Sequence, residues 1–377
     1  MFFSLISYYK NKQTFTINQP QCLFATTFCT FTAMKTQRPI LECVPNFSEG
    51  RDMNKINAIA DAIQSVSGVH LLNVDISAAA NRTVMTFAGE PDAVVAAAYE
   101  AIKKAAELID MQQQAGVHPR IGATDVCPLV PLAGITMDEA VKYSQQLGAR
   151  VGTELNIPVY LYEHSASAPH RRALPDIRKG QYEGMAAKMQ QPGWAPDYGP
   201  ATFTPSTGAT VIGARDILVA FNISLNTTDV TKANYIADRI RERGFNETVD
   251  NKKVHHPGLL THLRAIGWYM ADLECAQVSM NLLDYRETSP LKVWEACTAL
   301  AAEVNVTLAG SELIGLMPER CLLEAGTFTY MEHEEEIPQD ETIIIHRAIE
   351  LLGLQKVKTF DPQKHILEYS LQHAGLL

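Results

Sequence analysis

A run of strand-like and helix-like segments in the order βαββαβ occurs twice along this chain. That repetition constrains the fold more than any other feature. The first run opens with a short apolar strand, Ile40–Val44, stopped by Pro45. The polar turn Asn46–Asp52 then launches a helix over 53–66, where Ile56, Ile59, Ala60 and Ile63 recur at helical spacing. Asn46 and Ser48 are candidate caps for it, with Glu49 favouring its positive end. Val69–Ile76 and Thr83–Phe87 read as strands, and an Ala-rich helix follows Pro91. Val126–Leu132 reads as a strand whose prolines place it at a sheet edge or strand end. A helix over 136–154 and a strand over 157–162 complete this half. The second run has strands at 217–225, 262–270, 274–283 and 308–316, with helices at 229–243 and 290–304. Two more helices are expected near 318–330 and 340–352. This order predicts an α+β chain of two similar split-βαβ (ferredoxin-like) subdomains, 38–216 and 217–370. Between them, 164–216 is rich in Pro, Gly, Ser and Thr and reads as a segment of little secondary structure that does ligand work. The stretch 244–261, with His255 and His256 and then His262, reads as an exposed excursion.

Composition removes several classes. The 377 residues are 46% hydrophobic and 20% charged, with a formal net charge of -10. A disordered or collagenous chain is excluded, and a surface that grips nucleic acid throughout is not expected. Residues 1–33 hold Lys10 and Lys12 but no acidic side chain. They lack the long apolar run of a membrane span and the pattern of a secretory signal. Residues 1–37 therefore read as a poorly ordered extension or, preferably, an upstream mis-set start. The seven cysteines show no CxxC or finger spacing, so no disulfide framework or structural zinc is expected and a cytoplasmic setting is the simplest reading. Cys43 and Cys127 read as buried small hydrophobes rather than nucleophiles.

Chemistry concentrates in a few segments. Gly116–Asp125 (GVHPRIGATD) presents His118, Arg120 and Asp125 from a loop stiffened by Pro119. An imidazole there can exchange protons near neutral pH, and an arginine can hold a carboxylate bidentately. The competing reading is a rigid loop, with His118 capping a helix and Arg120 in a surface ion pair. Asp75, Asn81 and Arg82 join two strands, and Asp75 either orients His118 or accepts a cationic substrate group, or else only bonds the turn's amides. Gly199–Gly208 (Gly199, Pro200, Ala201, Thr202, Phe203, Thr204, Pro205, Ser206, Thr207, Gly208) offers hydroxyls and a ring to a flat ligand. It is not a phosphate loop, since GxxxxGK[ST] is absent. His170, Arg171, Arg172, Arg178 and Lys179 form a basic island, either an anion-binding patch or a solvated loop. No histidine group carries the companions of a metal site, so no metal is expected.

The runs LECVPNFSEGRD (41–52), NRTVMTF (81–87), HPRIGATDVCPLVP (118–131), Trp194–Gly213 and AFNISL (220–225) resemble the formiminotransferase domain family over roughly 38–370. The resemblance implies two α+β subdomains side by side with a folate groove between them. It implies transfer of a formimino group from N-formimidoyl-L-glutamate to N5 of tetrahydrofolate, in histidine degradation. His118 matches the family's catalytic histidine, and Gly199–Gly208 matches the segment lining the folate site. Asp75, Arg82 and Arg120 lie in matching motifs, with Asp75 or Asp125 expected to orient His118 and Arg82 and Arg120 to take the donor's carboxylates. Thr207 stands where relatives can place a tryptophan, which alters the expected folate contacts. The cyclodeaminase that accompanies the domain in animal proteins has no counterpart here, so a separate cyclodeaminase is the expected downstream partner. Small-molecule substrates are expected, not nucleic acid or a membrane, and a homodimer is left open. A formyl donor and a non-catalytic folate-binding module are the rival readings.

Overall fold

The computed structural model describes residues 38–377; the reading made for residues 1–37 lies outside them. The first half opens with β1 (Ile40–Cys43) and β2 (Asn46–Phe47), two pieces of one strand broken at Val44–Pro45. α1 (Met53–Gln64) follows, capped by Asp52, whose carboxylate accepts from the Asn54 and Lys55 amides. Asn46 and Ser48, expected as caps, serve elsewhere. Next come β3 (Val69–Ser77), β4 (Arg82–Gly89), α2 (Pro91–Leu108), β5 (Thr124–Ala133) and α3 (Met137–Glu154). Thr136 and Glu139 close a capping box on α3.

After β6 (Val159–Leu161) the connecting segment contains α4 (Leu174–Arg178), α5 (Gln181–Met189) and β7 (Thr210–Ala214). The expectation of little structure there is corrected. β7 is a five-residue strand wedged between β5 and β6 and parallel to both. The sheet therefore runs β3-β4-β1/β2-β5-β7-β6. This also corrects the placement of β5, which is interior, not at an edge. Its prolines are tolerated because the ladder is irregular beside them. Leu41 faces Pro131 while Ile40 faces Ala133, so Leu132 bulges, and Pro128 falls where β1 gives way to β2.

The second half contains β8 (Val219–Leu225), α6 (Val230–Ile240), β11 (Leu263–Met270), β12 (Cys275–Leu282), α7 (Pro290–Glu303) and β13 (Leu308–Ile314). The 244–261 excursion is a separate hairpin of β9 (Phe245–Val249) and β10 (Lys252–His256). The main sheet runs β11-β12-β8-β13, antiparallel throughout. In both halves the first strand lies between the third and the fourth. α8 (Glu319–Glu332), α9 (Glu341–Leu352) and short helices to His373 finish the chain. Among the described residues no helix is long and apolar enough to cross a membrane.

Alternation along the strands decides what each face meets. Leu41, Cys43, Met85, Phe87, Cys127 and Leu129 pack in one cluster with the apolar stripes of α1, α2 and α3. Cys43 and Cys127 are buried with sulfurs 3.5 Å apart, and burial pushes the Cys43 thiol up, away from reactive thiolate. A second cluster crosses between the halves, joining Ile40, Ala88, Val130 and Leu132 to Ile217, Phe221 and Leu316. A third cluster packs Val126, Tyr160 and Val211 against Ile177, Met185 and Met189 of α4 and α5.

Candidate functional site

Two adjoining cavities lie where the sheets approach. One, of about 120 Å³, is lined by Glu42, Arg82, Thr86, His118, Arg178 and Arg215 of the first half, with Ala220, Asn281 and Gly315 across from them. The other, of about 130 Å³, is bounded by Arg82 and Ser77 on one side and by Asn222, Trp268, Glu312 and Lys358 on the other. They share Arg82 and Ile314. Each is smaller than the roughly 300–1,000 Å³ that holds a whole drug-sized ligand. Each has room for one end of a substrate.

His118 reaches this space from the loop between α2 and β5. The loop is held by glycines at close crossings: a Cβ on Gly122 would collide with the Ala209 carbonyl, and one on Gly208 with that of Ile121. Gly208 also has φ +67°, a conformation costly for other residues. Asn81, at φ 48°, ties neighbouring turns by accepting from the Gly50 amide and donating to the Ala115 carbonyl. It sets the start of β4, from which Arg82 projects. Arg82 donates through one Nη1 to Asn46 Oδ1 (3.0 Å) and to His118 Nε2 (2.8 Å). Because guanidinium only donates, Nε2 carries the lone pair and the ring is neutral. Desolvation first, then the charges of Arg82, Arg178 and Arg120, hold His118 well below the usual histidine range. Burial, then Arg178, pushes Arg82 down to about 10, so it remains a cation at neutral pH. Arg82 Nε and Thr86 Oγ1 are buried without a hydrogen-bond partner. Such orphaned atoms are expected where a ligand completes a site.

The other residues singled out by sequence are distributed differently. Asp75 does not contact His118. It accepts from Lys358 Nζ and the Gly315 amide, each at 2.5 Å, and from Asn73 at 2.8 Å, clasping β3 to the second half. Asp125 accepts from the Ile121 amide (2.9 Å) and pairs with Arg178, fixing the loop beyond His118 rather than its ring. Arg120 is buried and makes four hydrogen bonds: Nε and Nη2 donate to the Gln114 side chain and carbonyl, and both Nη groups grip Glu183 at 3.0 and 2.8 Å. It sits in the ion pair of the alternative reading, one partner of which is exposed. Arg120→Lys, which keeps charge but loses the planar fork, should cost roughly 1–3 kcal/mol of stability. Unchanged urea denaturation of that variant would leave Arg120 available for another task.

None of Gly199–Gly208 lines either cavity. The segment is stitched to the far end of the His118 loop instead: the Ala123 amide donates to Thr207 O (2.8 Å), and Gly122 bridges Gly208. Ala201, Thr202, Pro205 and Ser206 are exposed. The basic island is not one patch. Arg171 is buried against Asp197 and the carbonyls of Gly193 and Ala195, while Arg178 belongs to Asp125. Among the described residues no three His, Cys, Asp or Glu side chains converge as metal ligands.

Sequence reasoning passed over Glu42, Thr86 and Arg215 in the first cavity and Asn222, Trp268, Gln277 and Glu312 around the second. Burial raises the Glu42 carboxyl to about 7, against the opposing pull of Arg215. A legible signal existed for these residues. Except for Arg215, which follows the end of β7, each is a polar or aromatic side chain at the alternate positions of an otherwise apolar strand, the positions that leave the helix-covered face.

The formiminotransferase domain family matches both halves: its N-terminal subdomain over residues 40–215 and the formiminotransferase domain over 220–372. Formimidoyltransferase-cyclodeaminase of Dictyostelium discoideum is 44% identical over 333 residues, 88% of this chain and 60% of that protein. The Rattus norvegicus protein of the same name is 44% identical over 336 residues, 89% of this chain and 60% of its own length. Glutamate formimidoyltransferase of Streptococcus pyogenes serotype M1 is 40% identical over 296 residues, covering 78% of this chain and 94% of that protein. The chain thus spans about 60% of the length of the first two relatives.

Proposed function

The chain belongs to the formiminotransferase domain family, and from that premise we propose that it is a folate-dependent formimidoyltransferase. It carries the formimino group from N-formimidoyl-L-glutamate to N5 of tetrahydrofolate, releasing L-glutamate, as a step of histidine degradation in the cytoplasm. The strand order common to both halves supports reading 38–216 and 217–370 as two ferredoxin-like subdomains side by side, with the substrates meeting between them.

The observation that carries this reading is a neutral imidazole, its lone pair held by Arg82, in a cavity rich in guanidinium groups. The folate N5 lone pair attacks the amidine carbon, forming the N5–C bond and a tetrahedral intermediate. N5 is then cationic and strongly acidic, so a weak base suffices. His118 Nε2 takes that proton and returns one to the glutamate nitrogen as its C–N bond breaks. For this the donor's carboxylates must draw Arg82 off Nε2, which fits its orphaned Nε–H. Arg82 and Arg215 are better placed for those carboxylates than Arg120, whose donors are already engaged. Bringing two bound substrates together supplies much of the acceleration. Gly199–Gly208 keeps its proposed folate contact at parts of the molecule outside the two cavities. Asp75 and Asp125 act as positioning residues, one between halves and one behind the loop.

Incubation with tetrahydrofolate and N-formimidoyl-L-glutamate should change the folate absorbance as 5-formimidoyltetrahydrofolate accumulates. Turnover only with a formyl donor would overturn the choice of donor.

A further inference from the structure

The second cavity contains a polar network that the transfer step does not use. It is built by register. Trp268 lies opposite Gln277, Gln277 opposite Ser224, and Glu312 opposite Asn222, all on the sheet face turned toward the first half. The indole N–H can only donate, and it donates to Gln277 Oε1 at 2.9 Å. That fixes the amide's orientation and turns Gln277 Nε2 toward Ser224 Oγ and Glu312 Oε1, each at 3.2 Å. Asn222 Nδ2 adds a second donor to the same oxygen at 3.0 Å. Ser224, Asn222 and Gln277 are almost fully buried, and Glu312 is 9% exposed.

The result is an asymmetric carboxylate. Oε1 has both lone pairs engaged, whereas no donor among the described residues reaches Oε2 and no cation closes an ion pair with it. Oε2 is not among the buried unpartnered atoms, so it opens onto the cavity, where an incoming donor can take the place of water. The cavity beside it is walled by the Trp268 ring and by Ile76, Met270 and Ile314, and it shares Arg82, which bonds His118, with the first cavity. A flat heterocycle with paired N–H donors on one edge suits the Glu312 carboxylate and the apolar and aromatic walls, while Ser77, Arg82, Asp272 and Lys358 leave polar groups at the cavity's other sides.

We propose that Glu312 recognises the 2-amino-4-oxopyrimidine edge of the pterin, with Oε2 accepting from both the ring N3–H and the exocyclic 2-amino group. Two neighbouring N–H bonds on one such edge converge on a single acceptor, and an ionised acceptor strengthens both. Asn222 and Gln277 position the carboxylate, and Trp268, fixed by its own bond to Gln277, supplies a ring face. The opposite end of the pterin, which carries N5, then lies on the side of Arg82, the residue this cavity shares with that of His118. This inference rests on the folate reading above and assigns the ring's recognition to the second half of the chain.

The test is a binding cycle on the full chain by calorimetry, using 5-formyltetrahydrofolate and its 2-desamino-2-methyl analogue. Wild type should bind the parent about ten- to hundredfold more tightly than the analogue. Glu312→Gln, nearly isosteric, should lose a similar factor for the parent and discriminate the two ligands by less than about threefold. Parent affinity of Glu312→Gln within threefold of wild type overturns the proposal, as does weaker binding with discrimination intact. Should the variant fold poorly, the wild-type arm decides alone, because equal affinity for parent and analogue is incompatible with recognition of the amino edge. Discrimination by a wild-type protein that transfers no formimino group would sink the proposed reaction and leave this assignment standing. Transfer without discrimination would do the reverse. Failure of wild type to bind the folate overturns both.

Discussion

His118→Gln should lower formimino transfer by about 10²–10⁴-fold while folate affinity stays within about threefold. Glutamine can still accept from Arg82, so the change removes proton exchange and little else. His118→Ala should lose at least as much, because it also strands the Arg82 donor. A protein that only binds folate has no rate to lose, so the paired rate and binding measurements separate the two readings. The pH profile is a further check. With the imidazole held below its ordinary range by desolvation and three guanidinium groups, it is already unprotonated at pH 6.5. The acid limb of kcat/KM should therefore lie below that value. Removing Arg82 takes away a repelling charge, makes the protonated ring less unfavourable and should move that limb to higher pH. An acid limb that stays put in Arg82→Ala would mean the observed titration belongs to another group.

The second large effect concerns stability. Burial carries the Glu42 carboxyl from 4.5 to about 7, with Glu368 adding to the rise and Arg215 opposing it. Between those values the folded chain holds a proton that the unfolded chain has released. Stability linked to this group is thus complete below about pH 4.5 and is lost as pH rises through about 7. Glu42→Gln removes the ionisation, and so should be more stable than wild type at pH 8 by on the order of 3 kcal/mol and about equal at pH 4.5. Urea denaturation at both pH values checks this, and a gap that does not widen with pH would show that Glu42 ionises freely in the folded chain. The stability forgone at neutral pH falls on a side chain that lines the same cavity as His118, where natural sequences often retain destabilising groups for function.

The long helices were legible because their apolar spacing is regular: Ile56, Ile59, Ala60 and Ile63 face the core of the first half as their period requires. The repeated strand order was legible for the same reason. β7 was not, since TVIGA is short and follows a Gly- and Pro-rich stretch that reads as loop. β5 was misplaced because prolines argue for an edge, and the bulge that excuses Pro131 is invisible without the partner strand. At the site, the contact between Arg82 and His118 joins two motifs that sequence could nominate but not pair. Arg120 could not be told from Arg215 by type alone. What separates them is Glu183, sixty-three positions from Arg120, which claims one of the two guanidinium groups.

The placement of β7 has a consequence for synthesis on the ribosome. β5 ends at Ala133, but the strand that must lie beside it begins only at Thr210. At roughly 5–20 residues per second, that interval lasts on the order of 4–15 seconds. Throughout it the nascent first half presents an unpaired β5 flank, a template for joining another chain. Pro131, awkward in a finished interior strand, shares its side with Leu129, whose carbonyl accepts from Arg215, so it removes an amide donor from the waiting flank of β5. It makes the waiting strand a poorer template for foreign partners until its own partner emerges.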